Sequence, residues 1–210
     1  SGSVRLFTFT NTSFAGGALA AKIGSGYAGG NNLDLGTALE AFDQFGQSVS
    51  LNAAGDRLAV GAYLDGGFGN AALESGSVRL FTFADTSFAG GALAATIGRG
   101  YTGGNNFDLG NALEFADEFG SSVSLNATGD RLAVGAINDG GFGNVANGSG
   151  SVRLFTFADT SFAGGALVAT IGRDYNLDLG TALEDFDEFG SSVSLNAAGD
   201  RLAVGANGDD

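Results

Sequence analysis

Ser1-Gly2-Ser3-Val4-Arg5-Leu6-Phe7-Thr8-Phe9 is written three times in this chain, again from Ser75 to Phe83 and from Ser149 to Phe157. The copies start 74 residues apart, and residues 1–74 differ from 75–148 at 17 positions. A fixed period of this length marks a supersecondary unit that buries its apolar faces only by stacking on neighbours. The chain divides into unit one (1–74), unit two (75–148) and unit three (149–210), together one repeat domain. Unit three is shortened, with Asp174 to Asn176 standing where unit two runs from Gly100 to Asn106. Such scattered irregularity fits natural duplication and drift better than design. Chemistry repeated in every unit points to scaffold or multivalent binding rather than to one active site.

Within unit one the opening stretch is rich in β-formers and flanked by Gly2 and Asn11-Thr12-Ser13, which predicts a strand. Leu19, Ala21 and Ile23 alternate and predict a second strand that stops at Gly24. Residues 24–44 are a long polar connection, in which Leu35 to Glu40 has the composition of one helical turn. Ser48 to Leu51 has period two and predicts a third strand. Asn52-Ala53-Ala54-Gly55-Asp56 is turn chemistry leading into a fourth, Arg57 to Ala62. Each unit thus offers four short antiparallel strands and one long loop. The expected fold is all-β, with tandem four-stranded blades in a β-propeller-like array; a β-solenoid is the other architecture open to this pattern.

Composition narrows the function. The chain has 210 residues and no Cys, His, Met, Trp or Pro. Disulfides and thiolate chemistry are absent, and so are the usual general base and the commonest metal ligand. The missing initiator Met implies a processed product or a piece of a longer chain. No apolar run approaches a membrane span, and no signal peptide is visible. The net charge of −14 argues against nucleic acid and anionic membrane surfaces, and leaves cations and basic protein partners open.

Phe45-Gly46-Gln47-Ser48-Val49-Ser50-Leu51, followed by Gly55-Asp56-Arg57-Leu58-Ala59-Val60-Gly61-Ala62 and Gly76-Ser77-Val78-Arg79-Leu80-Phe81, resembles FG-GAP repeats. These are the blades of integrin α-type β-propellers and their bacterial relatives. The pattern recurs at Phe119-Gly120 with Gly135-Ala136, and at Phe189-Gly190 with Gly205-Ala206. Two departures stand out. The proline that follows Gly-Ala in the family is replaced by Tyr63, Ile137 and Asn207. The calcium loop of many such blades is reduced to Asn52–Asp56, whose single acid falls short of the six or more oxygens calcium takes. The family's calcium residues therefore do not carry over. Near-identical units of this kind look like repeats of a bacterial surface or secreted protein, which implies an extracellular or cell-surface location.

The resemblance also sets the phase. In FG-GAP blades the FG strand is innermost, the GA strand second and SVRLFTF third, so this chain starts with the outer strands of a blade and ends with the inner two. Three blades make too tight a ring to close alone. The expectation is a homo-oligomer or fibre through strand pairing at the termini, with a six-bladed ring of two chains as one form, or a segment of a longer propeller.

Blade topology would place 18 of the 23 acids on one face. The metal candidates there are Asp34, Glu40 and Asp43 in unit one, Asp108, Glu114 and Asp117 in unit two, and Asp178, Glu184 and Asp187 in unit three. Weak multivalent calcium binding, or capture of a basic partner, is one use of such a face; solvation of long loops is the other. The adjacent pairs Asp56-Arg57, Asp130-Arg131 and Asp200-Arg201 should point to opposite sides of a strand and not pair with each other. Phe7, Phe9, Phe14, Phe45 and Phe68 recur in each complete unit and are expected in the core or between blades, with an aromatic glycan platform as the other use. Asn11 and Asn126 each head a glycosylation sequon, and Asn126 is expected to serve the turn instead.

The reading is a non-enzymatic, extracellular structural or adhesive domain that self-associates through open strand edges. The alternative is a calcium-dependent or glycan-binding, lectin-like propeller. Glycosidase chemistry by a pair such as Glu40 and Asp43 is disfavoured by its repetition in every unit.

Overall fold

The computed structural model describes residues 1–209. Among these described residues fifteen strands form four sheets. The first sheet holds β1 (Ser3–Thr8), β2 (Ala18–Gly24) and β3 (Leu33–Asp34). The second holds β4 (Val49–Leu51), β5 (Arg57–Ala62), β6 (Ser77–Thr82), β7 (Ala92–Gly98) and β8 (Phe107–Asp108). The third repeats it with β9 (Phe119–Leu125), β10 (Arg131–Ala136), β11 (Ser151–Thr156), β12 (Ala166–Gly172) and β13 (Leu177–Asp178). The fourth has only β14 (Phe189–Leu195) and β15 (Leu202–Ala206). An all-β architecture is what the sequence predicts.

In each full sheet the first four strands form an antiparallel meander in chain order, unlike the parallel rungs of many β-solenoids. The fifth strand has no counterpart in the four-strand pattern of the sequence. It is two residues long and pairs parallel, Ile97 with Phe107 and Gly98 with Asp108. A side chain extends the pairing: Asn106 Oδ1 accepts from Thr96 N–H at 2.8 Å. The helical turn expected at Leu35–Glu40 is a 3-10 turn at Gly36–Ala38, repeated at Gly110–Ala112 and Gly180–Ala182.

Both faces of the full sheets are apolar, and burial follows from stacking. Val4, Leu6, Ala21 and Ile23 of the first sheet share a core with Leu58, Val60, Phe81, Phe83 and Phe88 of the second. On the other face, Val78, Leu80, Ala95 and Ile97 pack with Val123, Leu132, Val134, Phe155, Phe157 and Phe162 of the third. The innermost strands approach closely. Ala53 N–H donates to Ala127 O at 3.1 Å, and Ala127 N–H to Ala197 O at 3.0 Å, linking the hairpin tips of successive sheets. Ser48 Oγ donates to Gly120 O at 2.8 Å, and Ser122 Oγ to Gly190 O at 2.6 Å. A Cβ at Gly61 or Gly135 would collide with those same carbonyls, so glycine is required there by the approach of a neighbouring backbone.

The hairpins confirm the turn chemistry. Asn126 is buried, its Oδ1 accepting from Gly129 N–H and Arg131 N–H and its Nδ2 donating to Asp130. That is a turn role, and it withdraws the sequon asparagine from the surface. The first Asp-Arg pair departs from expectation: Arg57 curls back, Nη1 lying 3.4 Å from Asp56 Oδ2, while its Nε donates to Thr160 O of the next sheet. Backbone alternation separates the two Cβ atoms, but the arginine side chain is long enough to return.

Candidate functional site

Eight of the nine acidic candidates have local partners for their carboxylates, Glu184 being the exception. Asp34 Oδ1 accepts from Gly26 N–H and Gly36 N–H at 2.7 and 2.8 Å. Asp108 does the same with Gly100 and Gly110, and Asp178 with Asp174 and Gly180. Those amide donors hold the Asp34 and Asp178 carboxyls below the usual range. Asp43, Asp117 and Asp187 are buried, and each accepts from the backbone N–H three residues earlier, at Glu40, Glu114 and Glu184. Burial pushes the Asp43 carboxyl up and that of Asp117 to about 6, with the Asp139 charge adding to it at Asp117. Glu40 and Glu114 accept from Asn70 and Asn144 at 2.6 and 2.5 Å. Among the described residues no three of His, Cys, Asp and Glu gather so as to hold a metal ion. These acids pin loops, and the buried ones are not a solvated surface.

A polar cluster missed in the sequence lies at one end of each full sheet. Asp65 and Arg79 are both buried, with Arg79 Nη2 2.8 Å from Asp65 Oδ2. Arg79 also donates to Ala38 O at 2.6 Å and to Ser77 Oγ at 3.1 Å. Asp65 accepts further from Ser77 Oγ, Gly67 N–H and Tyr101 OH, at 3.0, 2.7 and 3.0 Å. The second copy joins Arg153, Asp139, Ser151, Tyr175 and Ala112 O, again with 2.8 Å between the charges. Burial and the neighbouring aspartate push the phenols of Tyr101 and Tyr175 up, so each stays a hydrogen-bond donor. A cavity of about 280 Å³ adjoins the first cluster, lined by Glu40, Asp43, Asp65, Asn70, Arg79 and Thr96 among others. The signal was present in the sequence as an Asp eight residues after each of Arg57 and Arg131, and an Arg two residues after each Ser77 and Ser151. Fully engaged charges of this kind bind structure together.

The third feature is the pair of open edges. β5 pairs with β6 and β10 with β11 along their full length. Among the described residues β15, their counterpart, has only β14 beside it, and β1, the counterpart of β6 and β11, has only β2. The phenylalanines expected in the core divide accordingly. Phe81 and Phe155 are 0% and 1% exposed, whereas Phe7 is 51% exposed. Phe9 and Phe14 are likewise exposed, while Phe83, Phe88, Phe157 and Phe162 are buried. At the other end Ile171 and Leu179 are more open than Ile97 and Leu109. Phe45 and Phe119 are buried as expected, but Phe68 and Phe142 are exposed, at 69% and 68%. They sit on Gly-rich loops and lean edge-on against Tyr101 and Tyr175.

The pairing of a Phe-Gly strand with a Gly-Ala strand, followed by the SVRLFT strand, decides the family likeness. Residues 39–81 match the FG-GAP repeat. No curated protein matches the chain. Among solved structures, the crystal structure of RRP9 WD40 repeats is similar over 76% of this chain and 34% of that chain, with 20% identity and a TM-score of 0.40. This chain therefore spans about a third of that protein's solved length. FG-GAP repeats suggest a propeller-type repeat domain, are typically non-catalytic and are usually extracellular. No helix among the described residues is long and apolar enough to cross a membrane.

Proposed function

We propose that this chain is a non-enzymatic, extracellular structural or adhesive domain that assembles by strand addition between copies. The four sheets act as propeller-type blades, the first and last being halves. β1 of one copy completes the sheet begun by β14 and β15 of another. The observation that carries the reading is the exposure of Phe7, against full burial of Phe81 and Phe155 at the equivalent positions. Main-chain pairing would supply affinity along the edge and the phenylalanines would supply the apolar contact. An unpaired edge next to an apolar face is otherwise an aggregation liability.

Such a contact joins different surfaces of the two partners. It closes into a ring if the rotation allows and otherwise propagates as a filament. Light scattering over a range of concentrations, with calcium and then with chelator, tests it. A discrete species of twice the 20.8 kDa chain mass, or longer regular polymers, is expected, unchanged by chelation. A compact monomer at all concentrations overturns the reading, and assembly lost on chelation would return the acidic loops to consideration as a calcium site.

A further inference from the structure

The two ends of the chain carry residues equivalent to the two halves of the buried clusters. Ser3, Arg5 and Tyr27 stand where Ser77, Arg79 and Tyr101 stand one unit later. Asp209 follows Arg201 by eight residues, as Asp65 follows Arg57 and Asp139 follows Arg131. Ala182 occupies the place of Ala38 and Ala112, whose carbonyls take the second bond of the buried arginines. Arg5 and Asp209 are both exposed, where their counterparts are buried and paired. Arg5 Nη1 already donates to Ser3 Oγ at 3.3 Å, the bond that Arg79 makes to Ser77 at 3.1 Å. One half of the geometry is preformed.

Charge is divided between the ends in the same sense. Residues 1–33 contain Arg5 and Lys22 and no acid, while residues 174–210 contain nine acids and one arginine. Lys22 is peculiar to unit one, because Thr96 and Thr170 hold its place in the others. Thr96 lines the cavity beside Glu40, Asp43 and Asp65. The same positions in unit three are Glu184, Asp187 and Asp209.

We propose that Arg5 of one copy pairs with Asp209 of a second copy, and that Lys22 faces the Glu184, Asp187 and Asp209 carboxylates of that copy. This rests on the strand-addition reading above and specifies its chemistry and register. By the pairing of β5 with β6, Leu202 lies opposite Phe7, Ala203 opposite Leu6, Val204 opposite Arg5, Gly205 opposite Val4 and Ala206 opposite Ser3. Between chains of like net charge, this matched contact selects one orientation and excludes others.

The test uses two charge reversals, Arg5→Glu and Asp209→Lys, at positions exposed in the free chain. Each alone leaves a like-charged pair in the joint and is expected to weaken association by roughly a hundredfold or more. Their equimolar mixture is expected to recover association, since one joint then joins Asp209 to Arg5 and the other joins Lys to Glu. Lys22→Thr, which restores the residue of the other units, weakens association less and reduces its salt dependence. If the wild-type chain associates and neither reversal alters it, this pairing is overturned while strand addition stands. If the wild-type chain stays monomeric, both fall.

Discussion

Arg79 Nη2 lies 2.8 Å from Asp65 Oδ2, and both side chains are almost wholly removed from water. Removing two charges from water is costly, and their attraction offsets the cost only when the remaining donors and acceptors are satisfied. Here they are: Ala38 O, Ser77 Oγ, Tyr101 OH and Gly67 N–H complete the set. The cluster ties a loop after β5, strand β6 and the loop after β7 to the turn that precedes β4. It therefore locks one sheet to the connection from the sheet before it.

Breaking one partner should be costly. Arg79→Met leaves Asp65 charged and buried, and a loss of about 3–5 kcal/mol is expected. Urea unfolding of the single variant and of Arg79→Met with Asp65→Asn checks this. The double variant should recover part of the loss, and a single variant as stable as wild type would refute the role given to the pair.

Asp117 controls a pH dependence of definite sign. Its folded pKa, raised to about 6 by burial, exceeds the ordinary carboxyl value of 3.8. The folded state then holds the proton more tightly, so this contribution is fully present below pH 4 and is lost as pH rises through 6. The lowered carboxyls of Asp34, Asp85, Asp130, Asp159 and Asp178 act oppositely, losing stability as pH falls below about 4. Asp117→Asn should flatten the slope between pH 4 and 6 and stabilise at pH 7 to 8. Denaturation midpoints across that range measure it, and an unchanged slope would assign the slope to other groups.

Glycines at one position of the repeat should differ in cost. Gly135→Ala places a methyl group against Gly190 O, where only backbone can move, and a loss of about 1–3 kcal/mol is expected. At Gly205 the nearest atom is the Ser192 hydroxyl, which can rotate away, so Gly205→Ala should leave a dilute sample within about 0.5 kcal/mol of wild type. Thermal melts of both variants at low concentration decide the matter. Equal losses would mean that contact with the next sheet is not what demands glycine.

The repeat, the four antiparallel strands and the hairpins were legible because they depend on local pattern. The pattern of Arg57–Ala62 matches the bounds of its strand, and the turn role of Asn126 is equally local, since side-chain bonds to nearby amides are written in a few adjacent residues. The two-residue strands at Leu33–Asp34, Phe107–Asp108 and Leu177–Asp178 are too short to have a period. The burial of some acids is not legible for a different reason. Asp43 and Asp117 lie in polar connections that local composition marks as surface, and a neighbouring element buries them.

What the sequence by itself determined is the unit: its strands, its turns and the demand that its apolar faces be covered. What only the tertiary structure decided is which copy of each residue is covered. Phe7, Phe81 and Phe155 share one local sequence, SVRLFTF, and so have one intrinsic preference. Among the described residues Phe81 and Phe155 each have a preceding sheet to pack on, and Phe7 has none. Burial is a property of neighbours distant in the chain, and no period read along one strand can supply it.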